Sequence, residues 1–131
     1  MKKSRIFALA LVAAAIPAAA HATTYSAIAL SQSTGAYGYS YDQGSAGRAN
    51  RVAIDNCENR ANGADDCRIV QYTHGAYCAA LVLNHTHHGD SVGWGAGSAR
   101  SEGQAKAIAW RQCQANNNGR CDELAASVCS H

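Results

Sequence analysis

The stretch Tyr25-Ser-Ala-Ile-Ala-Leu30 opens a pattern that returns later in the chain as Tyr77-Cys-Ala-Ala-Leu-Val82. In both copies a second run follows in which glycine separates larger residues, first Ala36-Tyr-Gly-Tyr-Ser40 and then Ser91-Val-Gly-Trp-Gly95. An alanine-rich segment, a polar loop and a further apolar stretch come next in both copies. Self-similarity at a steady offset indicates two copies of one structural unit. The sequence therefore predicts two related halves, about residues 23–74 and 75–131.

Each half is expected to form a strand, a strand, a helix and a strand. Two short apolar runs joined by a polar turn are typical of a hairpin. The alanine-rich segments, Ser45–Arg60 and Ser101–Ala115, carry small or apolar residues at helical spacing. Glycines beside tyrosine or tryptophan in a strand indicate a kink or a closely packed neighbour. We therefore predict an α+β fold in which two ββαβ-like repeats form one small, disulfide-stapled domain.

The first 22 residues have the layout of a secretory signal peptide. Lys2, Lys3 and Arg5 precede an apolar run from Ile6 to Ile16, and small residues follow up to Ala22. The run has 11 residues, whereas a membrane-spanning helix needs about 20. The sequence thus predicts export to the periplasm or the medium, cleavage near residue 22, and a mature domain of residues 23–131 that is not inserted in a membrane.

Charge argues against nucleic acid as a partner. Three of the 11 lysines and arginines lie in the predicted leader, which leaves 8 against 9 acidic residues and a net charge of −1. No stretch mixes cations densely with aromatic residues, as nucleic-acid binding would require. The net positive charge of the whole chain therefore comes from its predicted leader.

Cysteine usage predicts three disulfides. The predicted mature part has six cysteines, an even number, and export would bring them to an oxidising compartment. Two lie near the predicted helix ends, and each is followed after ten or eight residues by a cysteine that opens an apolar stretch. The remaining two can bridge if the last strand lies beside the first strand of the second half. We predict the pairs Cys57–Cys67, Cys113–Cys121 and Cys78–Cys129.

Four tracts of the chain recur in a known family: Tyr25-Ser-Ala-Ile-Ala, Gly35-Ala-Tyr-Gly-Tyr-Ser, the helix ending in Cys57, and Val128-Cys-Ser. Through them the chain resembles a family of small exported bacterial proteins, the domain of unknown function 4189. The resemblance implies an exported, disulfide-bonded domain and supplies no catalytic residues. Some small exported proteins of this sort are immunity factors against toxins from neighbouring bacteria, which makes that role one to consider.

Potential metal ligands concentrate in one turn, at His85, His87, His88 and Asp90. Imidazole nitrogens with a carboxylate suit zinc or copper. In an extended turn His85 and His87 would point one way and His88 the other, so the set would be incomplete without His74 or Asp90. The alternative is a solvated turn that is rich in histidine, or one that binds metal adventitiously, as local His tracts do. We therefore expect no resident cofactor.

Aromatic residues give a second candidate surface. Tyr37, Tyr39 and Tyr41 alternate along one predicted strand and so share a face, and Trp94 lies on the matching strand of the second half. They can pack in the core, as aromatics of small domains often do. Presented outward, they would form a contact surface, because Tyr and Trp are enriched in binding hot spots.

No catalytic constellation is found in the sequence. All six cysteines are assigned to disulfides, no serine lies in a Gly-x-Ser-x-Gly elbow, and there is no His-Glu-x-x-His helix. The acidic pairs Asp65-Asp66 and Asp122-Glu123 lie in polar loops. The first hypothesis is therefore a non-enzymatic module that binds another protein, such as an immunity or inhibitor protein against a competitor's toxin. The alternatives are a transition-metal binder and a small cell-wall-directed enzyme.

Overall fold

The structure is a computed structural model that describes residues 22–85 and 91–131. The predicted signal peptide, apart from Ala22, lies outside the described residues, and so do His87, His88 and Asp90 of the histidine-rich turn. Both halves fold as predicted, which confirms the α+β class. The elements are β1 (Tyr25–Ser31), β2 (Tyr37–Gln43), α1 (Ala46–Arg60), β3 (Cys67–His74), β4 (Cys78–Asn84), β5 (Gly93–Ala99), α2 (Glu102–Asn116) and β6 (Glu123–Cys129).

Both helices begin at a serine N-cap. The Ser45 side chain accepts a hydrogen bond from the backbone N–H of Arg48, and Ser101 accepts one from Gln104, each at 3.2 Å. Such caps satisfy backbone donors that the first helical turn leaves free. No helix within residues 22–85 or 91–131 has the length and apolarity needed to span a membrane.

Each half forms its own three-stranded antiparallel sheet, in the order β2-β1-β3 or β5-β4-β6. The central strands β1 and β4 are almost wholly buried, which explains why they are continuous apolar runs in the sequence. The register shifts at matching places, between Ile28 and Ala29 in the β1–β3 ladder and between Leu81 and Val82 in the β4–β6 ladder. The repeat thus extends to strand register, and it aligns residue 28 with residue 81.

Two sheets and two helices make four layers. Alternate residues of a strand point to opposite faces, so Ile28 of β1 shares a core with Leu81 of β4 between the two sheets. On the outer faces Ala29 packs under α1 and Val82 packs under α2. β2 lies over β6 and β3 lies over β5, so the sandwich has an inter-sheet groove at each edge.

Strand glycines allow the helices to lie directly on the sheets. A Cβ atom on Gly38 of β2 would come closer than 3.0 Å to backbone atoms of Ala53 and Cys57 in α1. In the second half a Cβ on Gly95 of β5 would meet the backbone of α2 at Cys113 in the same way. The glycines beside Tyr37 and Trp94 therefore mark close packing, one of the two interpretations that the sequence allowed.

All three predicted disulfides are confirmed. Two of them tie the end of each helix to the strand or loop that follows, and the third joins the paired strands β4 and β6. The six cysteines leave no free thiol. The pairs are Cys57–Cys67, Cys113–Cys121 and Cys78–Cys129.

The close approach of Gly38 to α1 predicts opposite effects on stability for two glycine-to-alanine substitutions. Gly38→Ala should lower the free energy of unfolding by about 3 kcal/mol, the upper end of the usual cost of overpacking, because the added methyl group meets helix backbone rather than a mobile side chain. Gly47→Ala, in α1 with nothing within 4 Å of its added methyl, should raise stability by up to about 1 kcal/mol. Urea unfolding of the oxidised variants measures both. A neutral Gly38→Ala would contradict the close packing of α1 on β2.

The disulfides should differ in their contributions to stability. Cys78 and Cys129 are 51 residues apart, whereas Cys113 and Cys121 are 8 apart. Chain entropy assigns about 4 kcal/mol to the longer loop and about 2.5 kcal/mol to the shorter one. The double variant Cys78→Ala/Cys129→Ala should therefore unfold at a lower urea concentration than Cys113→Ala/Cys121→Ala. The reverse order would show that closure of the long loop is not the dominant contribution.

Candidate binding surfaces

A groove runs between β2 and β6, along one edge of the sandwich, with a volume of 510 Å³. Its wall on the β2 side is aromatic. The opposite side is β6, whose Ala126 and Val128 also belong to the inter-sheet core. We call it the β2–β6 groove. It is lined by Tyr39, Tyr41, Asp42, Glu102, Ala125, Ala126, Ser127, Val128, Cys129 and His131.

The tyrosines of β2 lie on the face that looks toward the second sheet, because the alternating Gly38 contacts α1. Tyr37 and Tyr39 are half-buried against the inter-sheet core, as is Trp94 of β5. Tyr41 is 59% exposed, at the end of the row. Of the three tyrosines, Tyr41 is therefore the one that faces outward as a contact surface would require. Tyr39 lies beside it in the β2–β6 groove.

The polar rim of this groove is charged. The carboxylate of Asp42 lies 3.0 Å from Nδ1 of His131 and accepts a hydrogen bond from the Thr24 hydroxyl at 3.2 Å. These contacts, with the hydrogen bond to His131 as the largest cause, hold the pKa of Asp42 below its usual value. Lys106 lies 2.8 Å from Glu102 and is the largest cause of the lowered pKa of that carboxyl. Both carboxylates are therefore ionised at neutral pH, each beside a basic group.

Of the predicted histidine-rich turn, His85 is the member within the described residues. Its Nδ1 lies 3.0 Å from Asp122 and its Nε2 lies 3.2 Å from Glu123, and the hydrogen bond from His85 lowers the pKa of Asp122. His74 pairs with Tyr25 at the other end of the strands, so it does not join His85. Residues 22–85 and 91–131 hold no group of three His, Cys, Asp or Glu side chains that could bind a metal ion.

A row of stacked rings lies where β3 ends and β4 begins, and sequence reasoning did not identify it. Tyr25, Tyr72 and His74 each stack on the other two, and Tyr77 stacks on His74. The ring centroids of these pairs are 5.9–6.4 Å apart and their planes are within 17–28° of parallel. Arg100 places its guanidinium 5.6 Å from the centroid of Tyr77. We call these four rings the aromatic ladder. Its signal in the sequence is the alternation of Tyr72 and His74 on β3, which gives them a common face.

The ladder occupies a position that a disulfide takes in the other half. Tyr25 pairs with His74 in the β1–β3 ladder, and Cys78 pairs with Cys129 at the same place in the β4–β6 ladder. This register aligns Tyr25 with Cys78, whereas the sequence pattern aligns it with Tyr77, one residue earlier. The two halves therefore fasten equivalent strand ends differently, one by a covalent bond and the other by stacked, partly exposed rings.

One member of the acidic pair before Cys67, Asp66, binds the β1–β2 turn. Asp66 accepts a hydrogen bond from the Ser31 hydroxyl at 2.5 Å and another from the backbone N–H of Ser33 at 2.9 Å. These two bonds, with Ser31 first, hold the pKa of Asp66 below its usual value. Asp66 thus ties the start of β3 to the turn of the neighbouring hairpin.

The family model described as Domain of unknown function (DUF4189) matches residues 25–129, nearly the whole of the described chain. The match covers both halves and all three disulfides. No curated protein and no solved structure matches the chain.

The Asp66 contacts predict an effect of pH. A carboxyl whose pKa is lower in the folded state stabilises the fold above its unfolded pKa, near 4, and loses this contribution as the pH falls through its folded pKa. Asp66→Asn should therefore reduce the loss of stability between pH 6 and pH 3. Asp65→Asn is the matched control, because Asp65 makes no hydrogen bond to the turn among the described residues. Urea midpoints across pH measure the effect, and equal slopes for both variants would contradict it.

Proposed function

The chain belongs to the family described as a domain of unknown function (DUF4189), and we propose that it is an exported, non-enzymatic module that binds another protein. The observation that carries the proposal is the β2–β6 groove with Tyr41 at its surface. Tyr41 is the most exposed of the large apolar side chains within the described residues, at 59%. Tyrosine is among the residues that dominate binding energy at protein interfaces.

The composition of the groove favours a protein partner. Apolar surface from β6 lies beside two tyrosines, and charged groups form the rim. Stable interfaces combine an aromatic or apolar centre with a polar rim in this manner. Because the Asp42 and Glu102 carboxylates are ionised, a partner with basic groups around an apolar anchor would complement the rim.

Export is supported by the disulfides and by the N-terminal sequence. Three disulfides join all six cysteines, and such bonds persist in oxidising compartments outside the cytosol. Residues 1–22 have the basic, apolar and small-residue order of a signal peptide. We propose the periplasm or the medium as the place of action.

An inhibitor or immunity role agrees with the construction of the groove. Both strands that form it belong to sheets held by disulfides. A preorganised surface loses less conformational entropy on binding and therefore binds more tightly for a given area. We propose that the partner is a toxin or enzyme delivered by a competing bacterium, whose site the groove covers.

A transition-metal site at the His85–His88 turn is the second proposal. Its supporting observation is that Asp122 and Glu123 bring carboxylate oxygens within 3.2 Å of the His85 ring. Nitrogen and oxygen donors of this kind suit zinc or copper. A metal would have to replace these contacts, since both ring nitrogens of His85 face a carboxylate.

The test of the first proposal is capture of a partner with the oxidised domain of residues 23–131, carrying a tag other than polyhistidine, followed by affinity measurement on variants. Tyr41→Ala should weaken the complex at least about 30-fold, the loss of about 2 kcal/mol that defines a hot spot. Leu124→Ala, which removes another partly exposed side chain of 38% exposure outside the groove, should leave affinity unchanged. Tyr39→Ala is a poorer probe, because Tyr39 also packs against the core.

The outcomes separate the two proposals. A stoichiometric partner that survives chelator and is lost with Tyr41→Ala supports recognition through the groove. A partner lost with chelator and with His85→Ala would instead support the metal site. Equal affinity for Tyr41→Ala and Leu124→Ala would overturn the groove as the binding surface.

A further inference from the structure

We propose that a second pocket, at the opposite edge of the sandwich, binds a saccharide unit that carries a carboxylate. This pocket lies where β3 faces β5, whereas the groove of the proposed function lies where β2 faces β6. It has a volume of 230 Å³. We call it the ladder pocket, because three of its residues belong to the aromatic ladder, and its lining is Tyr72, Thr73, His74, Tyr77 and Ser98.

The first argument is the shape of the pocket and the chemistry of its walls. Tyr72 and Tyr77 are 40% and 36% exposed, so a part of each side chain that the neighbouring rings do not cover is accessible to a ligand. A pyranose presents C–H groups on its flat face, and these pack on an aromatic ring, while its hydroxyls project from the rim. At 230 Å³ the pocket is smaller than the roughly 300–1,000 Å³ of sites for larger organic ligands. It therefore suits a single sugar ring, with neighbouring sugars along the ladder.

The second argument is the supply of hydroxyl groups. Ser98 and Thr73 line the pocket. Thr73 is buried, with its hydroxyl 3.4 Å from that of Ser130, so Ser98 is the hydroxyl that a ligand meets first. Behind Thr73 lies its cross-strand neighbour Ser26, which is fully buried and whose Oγ has no hydrogen-bond partner within the described residues. A buried hydroxyl without a partner is costly. Ser26 does not itself line the pocket, so a polyhydroxylated ligand would supply a hydrogen bond to it through a bound water.

The third argument is charge. The guanidinium of Arg100 lies over Tyr77, and no carboxylate of the described residues pairs with it. Guanidinium recognises a carboxylate with two parallel hydrogen bonds. An acidic sugar would therefore place its ring on the tyrosines and its carboxylate on Arg100, whereas a neutral sugar would leave the cation unused.

The same observations disfavour nucleic acid, the other polymer that binds to stacked rings. Binding a phosphate backbone requires a groove of several cations. Among the ladder residues and their contacts in the described chain, Arg100 is the one arginine or lysine. An acidic peptide shares the carboxylate but not the ring of hydroxyls, so it serves as a competing ligand in the test.

The test starts with an array of oligosaccharides probed with the oxidised domain of residues 23–131. The array carries uronate, sialate and N-acetylmuramate oligosaccharides, methyl esters of the same uronates, and neutral oligosaccharides, with an Asp/Glu-rich peptide printed beside them. We expect signals on one or more carboxylate-bearing sugars, at least about tenfold above the corresponding esters or neutral sugars, which corresponds to about 1.4 kcal/mol.

Three variants assign the binding to the ladder pocket. Tyr77→Ala should abolish the signal by removing the stacking surface. Arg100→Gln, an exposed substitution, should reduce the preference for acid over ester to near unity, a readout that loss of folding would not give. Tyr41→Ala, in the β2–β6 groove, should leave sugar binding unchanged, so that failure of this proposal and of the proposed function are separate outcomes.

The proposal is overturned if no sugar on the array binds, or if binding is unchanged in both Tyr77→Ala and Arg100→Gln. It is also overturned if esters bind as well as acids, since Arg100 would then have no role. Binding of the acidic peptide alone would reassign the pocket to a protein ligand. An unaltered thermal unfolding transition for each variant shows that lost binding comes from the pocket.

Discussion

The contact of helix backbone with strand glycine holds each half of this protein together. At Gly38 and Gly95 no side chain separates the sheet from the helix, so α1 and α2 lie as close to their strands as backbone atoms allow. Cys57 of α1 and Cys113 of α2 lie on the buried faces of their helices, within reach of Cys67 and Cys121. The helix-to-strand disulfides thus depend on the absence of a Cβ atom at these two positions.

The same contact fixes which side of each strand is available for function. Because the glycine face of β2 is occupied by α1, its tyrosines must face the second sheet, where β2 crosses β6 at the edge of the sandwich. In β5 the residues that alternate with glycine after Trp94 are Ala96 and Ser98, which leaves room for Tyr72 and Tyr77 at the other edge. The β2–β6 groove and the ladder pocket lie at equivalent edges of the two halves, but they are lined by different side chains.

The divergence of the halves is clearest at one pair of strand ends. The second half joins them through Cys78 and Cys129, whereas the first half stacks Tyr25 on His74. The disulfide only joins the two strands, whereas partly exposed aromatic rings can also contact a ligand. The half without the third bridge is thus the half that contributes most of the aromatic ladder.

What the sequence determined is local or repetitive: the order of elements and the disulfide pairs that follow from matching the halves. Both copies carry the same pattern, so each supports the other. Tertiary structure alone decided how the sheets stack, because strand alternation shows that Tyr37, Tyr39 and Tyr41 share a face but not what that face meets. The aromatic ladder likewise joins residues from β1, β3 and the start of β4, whose proximity depends on strand register and on the packing of one sheet over the other.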